Sequence, residues 1–296
     1  MVAETPGLQS RRIDTEDGRL HAYRLGETGA PVLLLSGAGI DNALLSWRHL
    51  IPALGESHRA IALDWPKQGR SRPWNGVADH PRMLRCVTET LDAFEIDRAH
   101  LVGLSQGGAL ALATAIEHPD RVDRVVALAP GGIISFPPIV HQLLWLTARS
   151  RLLNETLPRR MFRTREQIAR FLRASLFAAP VDDFEDVVDE IMEEARHGVG
   201  ASDWQKHSIG PWRMKVDLRP RLHEITAPTL FIQGDRDKGV RPKHTIRAAG
   251  LVPGARLEML EGHGHWTNRQ SPELVNRMIV DFLAEGAEST EPGRPA

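Results

Sequence analysis

Three short stretches of this 296-residue chain carry side chains that could act together on a carbonyl carbon. In LVGLSQGGAL, Ser105 stands between Gly103 and Gly107. In FIQGDRDKGV, Asp235 and Asp237 follow an apolar run, and in EGHGHWTN, His263 and His265 alternate with glycine. A serine hydroxyl is a weak nucleophile at neutral pH, so it needs a base to take its proton during attack. That base in turn needs a carboxylate to hold it in the correct tautomer. One of the two histidines and one of the two aspartates can fill those roles for Ser105. The plainer alternative is a helix cap on a glycine-rich turn, with the histidines and aspartates merely solvated in loops.

To meet, these groups must be delivered to one edge of the molecule by separate elements. Apolar runs of strand length (RLHAYRL, PVLLLSG, HRAIALDW, AHLVGLS, RVVALAP, TLFIQGD and RLEMLEG) alternate with helix-period segments at 43–54, 81–94, 107–118 and 272–283. The alternation predicts an α/β fold, a mostly parallel central sheet flanked by helices. Ser105 falls between a strand and a helix, where a sharp turn requires neighbours without bulk, and Gly103, Gly107 and Gly108 supply them. After Pro130 the rhythm breaks. Residues 133–216 offer helix-like pieces such as IVHQLLWLTARS, REQIARFLRASLF and DDFEDVVDEIMEEARHG, with no convincing strand. These pieces are short and need a surface to bury against, so they predict a helical cap or lid inserted in a discontinuous core of 1–132 and 217–296. The polar, Pro/Gly-rich segment 286–296 reads as a disordered tail.

Composition narrows the partners. Lys plus Arg (37) nearly balance Asp plus Glu (38), so no net field gathers nucleic acid or an acidic membrane. The single cysteine, Cys86, can form no internal disulfide and reads as a buried spectator. No signal core or membrane-length apolar run is present, which predicts a cytoplasmic protein. A small-molecule substrate and a monomer or homodimer are expected.

The GxSxG string between strand and helix, followed in order by acid and base, resembles the α/β-hydrolase superfamily from Arg12 to about Leu283. The resemblance maps G-x-x-D onto Gly234–Asp237 and G-x-G-H onto Gly262–His265, and so implies Asp237 as the acid and His265 as the base. It implies an oxyanion hole from the backbone N–H groups of Gln106 and, after Ser36–Gly37 in place of the usual His-Gly pair, Ala38, with Gly39 as alternate. Ser36 puts the hydrogen-bond support of that loop in question. ALDWPKQGRS resembles the family's Asp-x-x-Gly-x-Gly-x-Ser stretch through Asp64, Gly69 and Ser71; Lys67 replaces a glycine and is a candidate contact for a substrate carboxylate. The cap implies an apolar pocket, with Gly39, Trp145, Phe171, Trp212 and Trp266 as candidate lining beside Leu144.

The expected activity is that of a serine hydrolase cleaving a small to medium, largely apolar ester or lactone through an acyl-enzyme, with no cofactor and no metal. Relatives that open epoxides or remove halides carry aspartate at the elbow, so Ser105 argues against both. Two alternatives use the same residues. One is hydrolysis of a carbon–carbon bond in a vinylogous diketone, suggested by Trp266 after the base, although Leu104 stands where such relatives often have asparagine. The other is a non-catalytic ligand-binding protein on the same fold.

Overall fold

The computed structural model describes residues 5–198 and 202–285, so the expected tail at 286–296 lies outside the described residues. Among the described residues, eight strands form one sheet: β1 (Gln9–Thr15), β2 (Gly18–Leu25), β3 (Pro31–Leu35), β4 (Arg59–Asp64), β5 (Ala99–Leu104), β6 (Val122–Leu128), β7 (Thr229–Gly234) and β8 (Arg256–Leu260). Their order is β1-β2-β4-β3-β5-β6-β7-β8; β2 runs antiparallel to β1 and β4, and all pairings from β4 through β8 are parallel. The central strands β3, β5 and β7 are buried at every residue, as expected of parallel strands covered on both faces. Strand β1 is absent from the sequence expectation because most of its side chains are exposed and leave no apolar pattern.

Twelve α-helices among the described residues accompany the sheet. The first four are α1 (Ala43–Trp47), α2 (Leu50–Gly55), α3 (His80–Ala93) and α4 (Gln106–Glu117). Between β6 and β7 lie α5 (Pro138–Arg149), α6 (Leu157–Met161), α7 (Arg165–Ser175), α8 (Phe184–His197) and α9 (Asp203–Ser208). The last three are α10 (Pro242–Ala249), α11 (Thr267–Gln270) and α12 (Pro272–Ala284). The helical stretch expected at 43–54 is two pieces, α1 and α2. Asn42 caps α1 by accepting from Leu45 N, and Asp79 caps α3 by accepting from Arg82 N. Helix α4 is buried along nearly its whole length, which its run of alanine and glycine permits: small side chains let it lie close against β3, β5 and β6. Cys86 is buried in α3, where removal from water pushes its thiol up to about 12.

Candidate active site

The nucleophile candidate sits at the turn between β5 and α4. Ser105 has φ 53° and ψ −110°, a conformation costly for a residue with a side chain, and the surroundings over-determine it. Its N–H donates to Leu128 O at 2.8 Å, and its carbonyl accepts from Gly131 N at 2.8 Å and Ala109 N at 3.0 Å. The flanking glycines are there for space. A β-carbon at Gly107 would stand 2.0 Å from Leu35 O, and one at Gly103 would stand 2.3 Å from the Gly107 carbonyl. Only backbone can occupy that crossing of strand end and helix start.

Asp237 and His265 meet on the neighbouring loops. Asp237 Oδ2 accepts from His265 Nδ1 at 2.8 Å and from Gln233 Nε2 at 3.0 Å, while Oδ1 accepts from Gly239 N at 2.7 Å and Val240 N at 3.0 Å. Burial disfavours the charge on Asp237, but the hydrogen bonds and the imidazole outweigh it and hold the carboxyl below its ordinary value. An ionised carboxylate can only accept, so the proton on His265 belongs at Nδ1 and the lone pair at Nε2. That is the tautomer a general base requires.

The two alternatives left open by residue type separate clearly. Asp235 is exposed. His263 pairs through Nδ1 with Glu261 O and through Nε2 with Ser271 Oγ, both at 2.7 Å, so it pins the loop that presents His265. Gly264 is glycine because Leu176 O from the helical segment approaches to 2.3 Å of where its β-carbon would lie. Gln270 Oε1 accepts from both Gly264 N and Ala178 N at 3.0 Å, stitching the two loops together.

Ser105 and His265 line one cavity of about 520 Å³, along with Ala38, Gln106, Phe171 and Trp266. As the first residue of α4, Gln106 has an amide with no acceptor inside its helix. The Ala38 loop faces the serine closely: a β-carbon on Gly37 would stand 3.8 Å from Ser105 Cβ. Ser36 Oγ is buried with no hydrogen-bond partner among the described residues, so the serine contributes no side-chain support. Asp41 supplies it instead, its Oδ2 accepting from Gly37 N and Ser46 Oγ at 2.6 Å. Gln68 Nε2 adds bonds to Gly37 O (3.3 Å) and Gly39 O (3.1 Å), and Trp65 Nε1 donates to Ser36 O at 2.9 Å.

Four expected contacts lie elsewhere. Gly39 is turned to Gln68 rather than to the cavity. Trp145 follows the cavity-lining Leu144 on α5, and one step along a helix rotates it away, to lie under the Arg149 guanidinium at 4.5 Å. Trp212 is 84 % exposed at the tip of a turn closed by the Ile209–Met214 bridge; Ile209 and Met214 themselves line the cavity. Lys67 Nζ is spent on Asp203 at 2.6 Å and Gly76 O at 2.9 Å.

Residue reasoning missed Asp41, Gln68, Gln233 and all of α9, whose Trp204, Gln205 and Ser208 line the cavity. Gln233, one residue before Gly-x-x-Asp in a wholly buried strand, was the one detectable signal, because a buried amide needs partners.

A family model described as alpha/beta hydrolase fold matches residues 30–272. The chain is 30% identical over 288 residues to a 2-hydroxy-6-oxo-6-phenylhexa-2,4-dienoate hydrolase of Burkholderia cepacia, covering 90% of this chain and 92% of that one. It is 30% identical over 299 residues to a 2-hydroxy-6-oxononadienedioate/2-hydroxy-6-oxononatrienedioate hydrolase of Paraburkholderia xenovorans, covering 96% and 97%. Among solved structures it superposes on a meta-cleavage product hydrolase from Pseudomonas fluorescens with a TM-score of 0.73 at 24% identity, covering 93% of this chain and 97% of that one.

Proposed function

The chain belongs to the alpha/beta hydrolase fold family, and from that premise we propose that it hydrolyses a carbon–carbon bond beside a ketone in a vinylogous diketone, with Ser105, His265 and Asp237 as the catalytic residues. The observation that carries the reading is the likeness, end to end at 30% identity, to hydrolases named for 2-hydroxy-6-oxo-dienoates. The ester or lactone expected from the sequence gives way to this alternative for the same reason.

Breaking a carbon–carbon bond with water needs a place for the departing electron pair. A 2-hydroxy-6-oxo-2,4-dienoate provides one after ketonisation moves a proton from the 2-hydroxyl to C5. Ser105 Oγ then adds to the C6 ketone while His265 Nε2 takes its proton, and the C6 oxyanion forms facing the Ala38 and Gln106 amides. Each such donor contributes about 3 kcal/mol where water is excluded. The C5–C6 bond breaks, its electron pair runs back to the C2 oxygen, and the proton held by His265 completes the 2-hydroxy-dienoate fragment. Water, deprotonated by His265, releases the acid from Ser105. The sum is one substrate plus one water giving a carboxylic acid and a 2-hydroxypenta-2,4-dienoate. Asp237 stabilises the imidazolium that appears twice in the cycle.

The experiment is a direct competition of chemistries. Purified protein is given 2-hydroxy-6-oxo-6-phenylhexa-2,4-dienoate, whose conjugated dienolate bleaches on cleavage, alongside p-nitrophenyl esters of graded length and simple lactones. The dienoate is expected to exceed the best ester in kcat/KM by at least about tenfold. Ester turnover with the dienoate left intact would overturn the reading in favour of an esterase, and binding of the dienoate without bleaching would favour the non-catalytic alternative.

A further inference from the structure

Among the described residues lining the cavity, Lys238 is the one lysine or arginine. It follows Asp237 directly and precedes Gly239, where a β-carbon would stand 3.2 Å from His265 Nδ1, so its backbone belongs to the loop that packs on the base. Its Nζ donates to Ala174 O, in the last turn of α7, at 2.7 Å. No carboxylate among the described residues pairs with it. The ammonium has three donors, and a carbonyl occupies one.

The contrast with the neighbouring charges is informative. Lys67, the residue that sequence alone offers for a substrate carboxylate, already holds Asp203. The Asp41 carboxylate lines the same cavity but is committed to Gly37, Asn42 and Ser46. The remaining polar lining, including Ser175, Gln205 and Ser208, is uncharged. An ammonium bonded to one carbonyl, at the exposed rim of a cavity otherwise largely apolar, keeps its charge and two of its donors for an anion.

We propose that Lys238 Nζ receives a carboxylate of the substrate, so that the site selects a keto acid over the corresponding neutral ketone. The inference deepens the reading of the site given above and names the group that recognises the acid end. The competing role is purely structural: a cation over the last carbonyls of α7 also favours the helix end.

The test reads binding, not turnover. The probes are 6-oxo-6-phenylhexanoate, a saturated keto acid that cannot form the dienol, and its carboxamide, each titrated calorimetrically into the parent, Lys238→Met and Lys238→Arg. The parent is expected to prefer the acid by about tenfold, the size of one charge-assisted hydrogen bond at a partly wet site. Lys238→Met should bind both alike, with amide affinity unchanged, and Lys238→Arg should keep the preference. If Lys238→Met weakens acid and amide together, the lysine only anchors α7 and the proposal falls. It falls equally if the parent binds neither probe or both alike. Because dienoate cleavage plays no part in the readout, failure of the carbon–carbon reading would leave this result standing, and the reverse.

Discussion

The two walls of the cavity are built in different ways. One hangs from the carboxyl ends of β3, β5, β7 and β8, where Ser105, Asp237 and the loops around them are fixed by backbone hydrogen bonds and by glycines with no room for a β-carbon. The other is the helical segment between β6 and β7. Its inner helices are tied down: the α8 carboxylate Glu194 is buried against Arg72, Gly69 and Asn42, and Asp183 pairs with the buried Arg269. Its outer face is apolar and open to water, with Ile139 78 % and Leu143 59 % exposed on α5. On the proposed function, reactive geometry rests on the first wall and fit to substrate on the second, whose outer face has the fewer constraints. Changes in the first should strike turnover, and changes in the second should alter affinity or nothing.

The most severe break is at the serine. Ser105→Ala is expected to lower kcat about a millionfold on whichever substrate proves best, the loss that the proposed triad requires when its members act as a unit. Asp237→Asn should follow at about ten-thousandfold, since an amide at that position favours the wrong tautomer of His265. Both are read in steady-state assays, with thermal melts to show that the fold survives. A loss under tenfold in either would separate the rigid wall from the chemistry.

Asp41 tests whether the Ala38 loop belongs to that rigid wall. Asp41→Asn keeps the shape but weakens the acceptor for Gly37 N and Ser46 Oγ, and kcat is expected to fall on the order of tenfold with KM little changed. The same variant has a pH signature. Burial raises the Asp41 carboxyl from 3.8 to about 6, against the bonds from Ser46, Gly37 and Asn42. The native state therefore holds this proton more tightly than the unfolded chain, a stabilisation complete below about pH 4 and lost as the pH rises through about 6. The amide of the variant does not titrate, so the melting temperature of the parent should decline relative to the variant between pH 4 and 7. Asp64, pushed up to about 7 by burial, titrates in both proteins and cancels in the difference. A gap that stays constant across that range would show that Asp41 is ionised throughout.

The same division marks what could be read from sequence. Strands β2 to β8, the elbow and its order of acid and base were legible because buried parallel strands leave continuous apolar runs, and a tight turn leaves glycines. The choice of Asp237 over Asp235 and of His265 over His263 came from resemblance; residue type alone left both pairs open, and burial now separates them. The wall between β6 and β7 was legible only as helical. Which face of α5 looks inward depends on tertiary packing, so the sequence offers Leu144 and Trp145 together and only Leu144 lines the cavity. Helix α9 is six residues long, too short for a periodic signal. Asp41 acts within its own loop, accepting from Gly37 N, Asn42 N and Ser46 Oγ, and Gln68 reaches the carbonyls of Gly37 and Gly39 on a loop distant in sequence; no pattern of residue type announces either role.

The smallest effect is also the sharpest test of the open wall. Phe171 and Trp212 are both aromatic residues of the helical segment, yet Phe171 lines the cavity and packs edge-on to Phe162 at 4.9 Å, whereas Trp212 stands in water. Phe171→Ala removes apolar contact that an occupant would share, and KM for an aryl substrate should rise about tenfold or more for the lost burial, with kcat less affected. Trp212→Ala should change neither constant by more than about twofold and should alter stability by no more than about 0.5 kcal/mol, as for any exposed residue without partners. Matching rises in KM for the two would mean that the outer face of the segment folds inward when the cavity is filled, and the division between inner and outer helices would then hold only for the empty protein.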